Sequence, residues 1–217
     1  MIKKEIYPKT ERIKLDGFKV QLTEKLDGSN LIIFKKENKL YIAQRKTIIS
    51  FDEIEEAKGV LYKGLYEWLK TNGKYLQEHL INEVCLCGEW LGMGQIKYTI
   101  DEFDKRFYMF AKAYIDNDFN LYNIIYNHEL FKYTFDNYEV PPFIGEVPII
   151  TDTNVVPNKK MLDSIYSKYC KKVKDRKVEG IVINCNNVIK KYVRMKNGKL
   201  VEYSDNDHKS ILENKGE

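Results

Sequence analysis

The residues with the most chemical promise are Glu24-Lys25-Leu26-Asp27-Gly28-Ser29-Asn30. A lysine amine attacks a phosphorus centre when it is held neutral, and burial or nearby cations favour that form. Asp-Gly after the lysine lets the chain turn tightly, and glycine allows close backbone approach to a ligand. The same four letters recur at Lys14-Leu15-Asp16-Gly17, so K-x-D-G alone selects neither copy. Their sequels differ: Asn30 stands two places after Gly28, whereas Lys19 holds the matching place after Gly17. Lys25 is therefore the candidate nucleophile, and the earlier copy reads as an ordinary turn.

Further candidates follow along the chain. Arg45 comes 20 residues after Lys25. Gly88-Glu89 lies in an apolar run that leads into Gly92-Met93-Gly94-Gln95. Such a loop can turn backbone N–H groups toward a phosphate, although it lacks the P-loop pattern. Phe107 to Ala111 is an aromatic strand containing Phe110. Glu179-Gly180 opens another apolar run, where a carboxylate is costly unless a cation, metal or donor meets it. On the strand that follows, Lys190, Tyr192, Arg194 and Lys196 share a face by the two-residue period, with Lys191 in the alternative register.

The elements that must position these residues are mostly strands. Leu31–Phe34 and Leu40–Ala43 flank a polar turn and predict an antiparallel hairpin, returning Arg45 toward Lys25. Ile54, Ala57, Leu61, Leu65 and Trp68 have helical spacing, with Gly73 as a break. Val84–Leu91 predicts a strand, 121–135 a helix rich in Tyr and Phe, and Val147–Ile150 a short strand. Residues 158–174 predict a basic amphipathic helix. Val178–Ile183 and Val188–Lys196 predict a closing hairpin. No repeat or linker divides the 217 residues, so the expectation is one domain over 1–217, its motifs within 20–197 and a polar tail from about residue 204.

Composition bounds the function. A content of 43% hydrophobic and 31% charged residues supports a globular core, and a net charge of +4 permits a nucleic-acid partner without demanding one. No stretch is apolar enough for a membrane helix, and the first residues carry no secretory signal, so no membrane partner and a reducing, cytoplasmic setting, cellular or viral, are expected. Cys85, Cys87, Cys170 and Cys185 are too sparse for a disulfide framework. The three histidines, His79, His128 and His208, are too scattered for a local metal site or triad.

Taken in order, the Lys, Arg, Gly-Glu, aromatic, Glu-Gly and basic segments resemble the covalent nucleotidyltransferases: DNA ligases, RNA ligases and mRNA-capping enzymes. The RNA ligase branch is the nearer resemblance, because its nucleophile motif reads E-K-x-x-G-x-N, as Glu24, Lys25, Gly28 and Asn30 do. The resemblance implies an α+β nucleotidyltransferase domain, ATP-grasp-like, with antiparallel sheets flanked by helices. With 21 residues after Lys196, no OB-fold is expected. It implies that Lys25 carries AMP from ATP, with Mg²⁺ or Mn²⁺ as cofactor. Glu24 would lie under the adenine, Asn30 in the nucleotide site, Arg45 on nucleotide or RNA phosphate, Glu89 near the ribose, and Phe110 on the adenine face. Glu179 would hold the metal, and Arg194 and Lys196, or Lys191, the α-phosphate. The implied partner is RNA with a 5′-phosphate and a 3′-hydroxyl. Two departures stand out: Phe110-Ala111 where Phe-Asp is usual, and Arg194-Met195-Lys196 where K-x-K is usual. Another covalent nucleotidyltransferase, or a nucleotide- or RNA-binding module without catalysis, remains the alternative.

Overall fold

The computed structural model describes residues 20–174, 176–185, 188–196 and 199–200, with only the main chain of Lys196 and Leu200. Thirteen strands and two α-helices form in the order β1 (Val20–Lys25), β2 (Ser29–Lys36), β3 (Lys39–Gln44), β4 (Thr47–Ser50), α1 (Leu65–His79), β5 (Val84–Trp90), β6 (Phe107–Ile115), β7 (Leu121–Ile125), β8 (Ile144–Glu146), β9 (Ile149–Thr153), α2 (Lys159–Lys172), β10 (Gly180–Cys185), β11 (Val188–Val193), β12 (Met195–Lys196) and β13 (Lys199–Leu200). The fold is α+β with antiparallel sheets flanked by helices; among the described residues β6–β8 is the only parallel strand pair and no sheet closes into a barrel. Contacts divide the chain into two compact units: Asp27–Glu146, and residues 20–26 together with those from Val147 onward.

The first unit is a sheet in the order β4-β3-β2-β5-β6-β7, with β8 beside β6. Its first hairpin forms because Glu37 and Asn38 both adopt positive φ (50° and 61°), the geometry that two-residue hairpin turns require. Strand alternation sends Leu31, Ile33, Leu86, Trp90, Phe107 and Met109 to one face, where α1 supplies Leu65, Leu69 and Leu76. The opposite face carries Ile32, Phe34, Ala43, Cys85, Cys87, Ala111 and Ala113.

Two predicted helices differ. The stretch from Ile54 stays in turns until Leu65, because the Gln44 side chain accepts from Tyr62 N (2.7 Å) and donates to Val60 O (3.0 Å). Gly73 does not break α1: it is buried inside it, and a Cβ there would meet the Phe51 ring at 2.2 Å. Residues 121–135 form β7 and a 3-10 helix (His128–Thr134) rather than one α-helix. The β-branched Ile124-Ile125 favours the strand, and Asn127 caps the 3-10 turn through a bond from Glu129 N.

The second unit is a four-stranded antiparallel sheet, β11-β10-β1-β9, with β12 and β13 as a separate hairpin. Helix α2 begins at Asn158, whose side chain accepts from Met161 N at 3.0 Å. Its Leu162, Tyr166 and Tyr169 cover the face formed by Val20, Leu22, Ile181, Ile183 and Tyr192.

Candidate active site

In the second unit the nucleophile motif ends an edge-to-core alternation. Val20, Leu22 and Glu24 point toward α2, so Lys25 points to the opposite face. Across the register Lys25 pairs with Gly180, and Gly180 with Val193. A Cβ on Gly180 would lie 2.1 Å from Tyr192 O, so the Glu-Gly pair is what lets β11 approach β10 here. Glu179, just before β10, is fixed by its own carbonyl, which accepts from Arg194 N (2.8 Å) and Met195 N (2.9 Å) where β11 stops. Its Oε2 accepts from Lys25 Nζ at 2.5 Å. Lys25 and Glu179 therefore meet, with both side chains largely shielded.

Three placements matter in this unit. The Glu24 side chain is fully buried, chelated by both Arg176 Nη atoms and by Tyr169 OH (2.7 Å). Burial and the Glu24 charge together push the Tyr169 phenol up. Arg194 does not extend the basic row. Its Nη1 donates to Asp163 Oδ1 on α2 (2.8 Å) and to Tyr192 OH (3.2 Å). The reason is that β11 ends at Val193, which cancels the two-residue count through 190–196. The third is the row itself. Lys190 and Tyr192 are buried beside Ile183 and Ile181, whereas Lys191, opposite Val182 and exposed, lies on the face of Thr23 and Lys25. Lys196 lies in β12, and its side chain falls outside the described residues.

In the first unit Asn30 and Glu89 are direct cross-strand partners and share a face with Cys87 and Cys85. Phe110 joins them because β6 bulges: Cys87 pairs with Ala111 and Gly88 with Met109, which makes Phe110 the extra residue of the bulge and sends it and Ala111 to one face. Glu89 Oε1 accepts from Gly28 N at 3.1 Å, and a Cβ on Gly28 would stand 2.4 Å from Trp90 O. Arg45 occupies the tight turn between β3 and β4, exposed.

Sequence reasoning missed Tyr62. Its hydroxyl donates to Asn30 O (3.2 Å) and accepts from Arg45 N (3.3 Å), so it couples two predicted site residues; burial pushes its phenol up. A lone tyrosine in a turn carries no local signal for this. Nor is the glycine loop after β5 open to a phosphate at Gln95 and Ile96. Asp27 Oδ2 accepts from both N–H groups at 2.7 Å, and Gly94 permits the approach, since a Cβ there would be 2.1 Å from Asp27 O. Asp27 N in turn donates to Tyr98 OH at 2.8 Å. Lys14 lies outside the described residues. Among those described, no three His, Cys, Asp or Glu side chains gather as a metal site.

The sequence profile of the RNA ligase family matches residues 18–197. The chain belongs to the RNA ligase family. Among solved structures it is similar to an archaeal ATP-dependent RNA ligase (TM-score 0.50, 15% identity, 87% of this chain and 48% of that one). It is also similar to two Naegleria gruberi RNA ligase variants. One is an apo form (TM-score 0.49, 18% identity, 89% of this chain, 60% of that one). The other was solved with ATP and Mn (TM-score 0.48, 18% identity, 88% of this chain, 59% of that one). The chain thus spans 48% to 60% of the length of these structures. No curated protein matches it.

Proposed function

We propose that the chain is an ATP-dependent RNA ligase that works through a lysyl-AMP on Lys25. The observation that carries the reading is the Lys25 Nζ to Glu179 Oε2 contact at 2.5 Å, on the sheet face that also bears Lys191. Glu179 Oε2 holds the amine in one orientation. Nζ gives a proton to Glu179 Oε2, its lone pair forms a bond to the α-phosphorus of ATP, the bond from that phosphorus to the bridging oxygen breaks, pyrophosphate leaves with the electron pair, and the proton remaining in excess on nitrogen passes to solvent. The adenylyl group then passes to a 5′-phosphate on RNA, and a 3′-hydroxyl displaces AMP to seal the strand.

Negative charge gathers on phosphate oxygens in each step, and cations fixed in advance lower that cost. Lys191 is the side chain proposed for the α-phosphate, with Lys196 five positions on. Asn30, Glu89 and Phe110 are proposed for the nucleoside, Phe110 by stacking, and Arg45 for phosphate. Glu179 fits a divalent cation only as one ligand among several. Mg²⁺ commonly takes one or two carboxylates plus substrate phosphates. Such a cation would offset charge on the phosphates.

The test is incubation with α-labelled ATP and a divalent cation. Wild type should acquire one AMP, mapped to the peptide bearing Lys25. Lys25→Ala should lose all of it, and Lys14→Ala should keep it. A GMP adduct in preference to AMP, or label on the Lys14 peptide, would overturn the reading.

A further inference from the structure

The first unit contains a cavity of about 460 Å³, formed mostly by the segment between β5 and β6, whose lining does not include Asn30, Glu89 or Phe110. That volume lies in the range of small-ligand sites. Lys63, Lys97, Lys105 and Arg106 line it, against one carboxylate, Asp104. Asp104 is occupied by Lys105 (2.7 Å), whose charge holds its carboxyl below the usual range. Among the described residues Lys63, Lys97 and Arg106 face no carboxylate within ion-pair distance; Lys97 donates only to the carbonyl of Gly94 (3.1 Å). A concave surface with three uncompensated cations focuses a positive field and draws phosphate.

The wall is also aromatic and rigid. Phe103 meets Tyr98 edge-on at 4.9 Å and Tyr108 at 5.0 Å. Tyr98 is tied through its hydroxyl to Asp27 N, and the strand of chain before it is tied through Gln95 N and Ile96 N to Asp27 Oδ2. Gly92, at φ 104°, is bare where the Arg106 guanidinium lies: a Cβ there would stand 2.6 Å from Nη1. Cations that can follow a sugar-phosphate backbone, beside an aromatic face that can take a base, are the two components of a single-strand site.

We propose that this cavity holds one nucleotide of the RNA strand, its phosphate on Lys63, Lys97 and Arg106 and its base against Tyr98 and Phe103. The proposal rests on the ligase reading for the identity of the strand. Because its wall hangs on Asp27, two residues along the chain from Lys25, occupancy bears on the segment that carries the nucleophile.

The test uses Lys63→Gln/Lys97→Gln, both exposed positions, with Lys74→Gln as a control on the outer face of α1, where the side chain is 85% exposed. Binding of a short 5′-phosphorylated RNA is followed by fluorescence anisotropy over a salt series, and AMP transfer to protein is measured beside it. The double variant should bind RNA about tenfold more weakly, and its slope of log affinity against log salt should be shallower by about 1.4, two single-strand phosphate contacts. Lys74→Gln should match wild type. Equal RNA affinity for the double variant and wild type would overturn the proposal. So would a variant that keeps RNA affinity but needs more ATP for the adduct, since the cavity would then serve free nucleotide. A wild-type chain that takes up no AMP would refute the ligase reading instead, and RNA binding by the variants would still report on the cavity.

Discussion

Replacing Arg176 by Met separates a folding role for Glu24 from a nucleotide-binding one. The Glu24 side chain has no solvent exposure, and Arg176 has 11%. Among the described residues Arg176 supplies two donors to that carboxylate and the charge opposite it; Tyr169 supplies a third donor. Removing one partner of a buried pair leaves the other charge stranded, at a cost of about 3–5 kcal/mol. With Tyr169 still donating, the lower half of that range applies, about 3 kcal/mol. For a urea slope of about 2 kcal/mol/M the midpoint should fall by about 1.5 M. Glu24→Met/Arg176→Met removes both charges and leaves Tyr169 without its acceptor, worth about 1 kcal/mol. The double variant should therefore be about 2 kcal/mol more stable than Arg176→Met alone, and the cycle strongly non-additive. Adenylylation supplies the second readout. If the Glu24 side chain serves only the β1–α2 contact, the double variant should keep its KM for ATP within about threefold of wild type, less than the tenfold worth of about 1.4 kcal/mol. Additive stabilities, or a KM for ATP raised tenfold or more, would refute the assignment.

Two other outcomes follow from the register and from burial. Lys191→Gln should slow AMP transfer about a hundredfold, the usual cost of losing one preset donor to a developing oxyanion. Arg194→Gln should instead lower stability by about 1 kcal/mol through Asp163 and leave the rate within a few-fold; rapid-quench assays beside thermal melts check both. Burial pushes the Cys85 and Cys87 thiols up. Their folded values lie above the unfolded one, so the stability they contribute is fully present below about pH 8.5 and is lost as pH rises beyond it. A thiol reagent at pH 8 should therefore modify the partly exposed Cys170 and Cys185 well before Cys85 and Cys87. Equal rates in the native protein would contradict this.

What the sequence disclosed was local. Apolar runs around Glu37-Asn38 identified the first hairpin, and an acid at the head of β10 identified Glu179 as needing a cation, which Lys25 supplies. What it concealed depended on distance or on a break in periodicity. Counting by two from Lys190 to Lys196 assumes an unbroken strand, but Glu179 O takes the N–H groups of Arg194 and Met195 and ends β11. The Phe110 bulge is likewise invisible in an apolar run, because each residue around it suits a strand equally well. Glu24 did carry a signal: it stands in the inward parity of Val20 and Leu22, where a carboxylate needs a buried partner. That the partner is Arg176, 152 residues on, no local pattern states.

The Glu24–Asn30 motif shows why its letters are constrained beyond the lysine. Glu24 faces inward and anchors β1 on α2, so its neighbour Lys25 must face outward, toward Glu179. Asp27 spends its carboxylate on Gln95 N and Ile96 N, and its N–H on Tyr98. Gly28 passes Trp90 O at a distance that excludes any side chain and donates to Glu89. Each residue thus answers to a different partner, and those partners lie 61 to 154 positions away. A second K-L-D-G at 14–17 can satisfy turn chemistry with the same letters. To compete as the nucleophile motif it would need its own acid on the lysine and its own loop on the aspartate. Glu179 Oε2 and the Gln95 and Ile96 N–H groups meet Lys25 and Asp27 of the copy at 25–28.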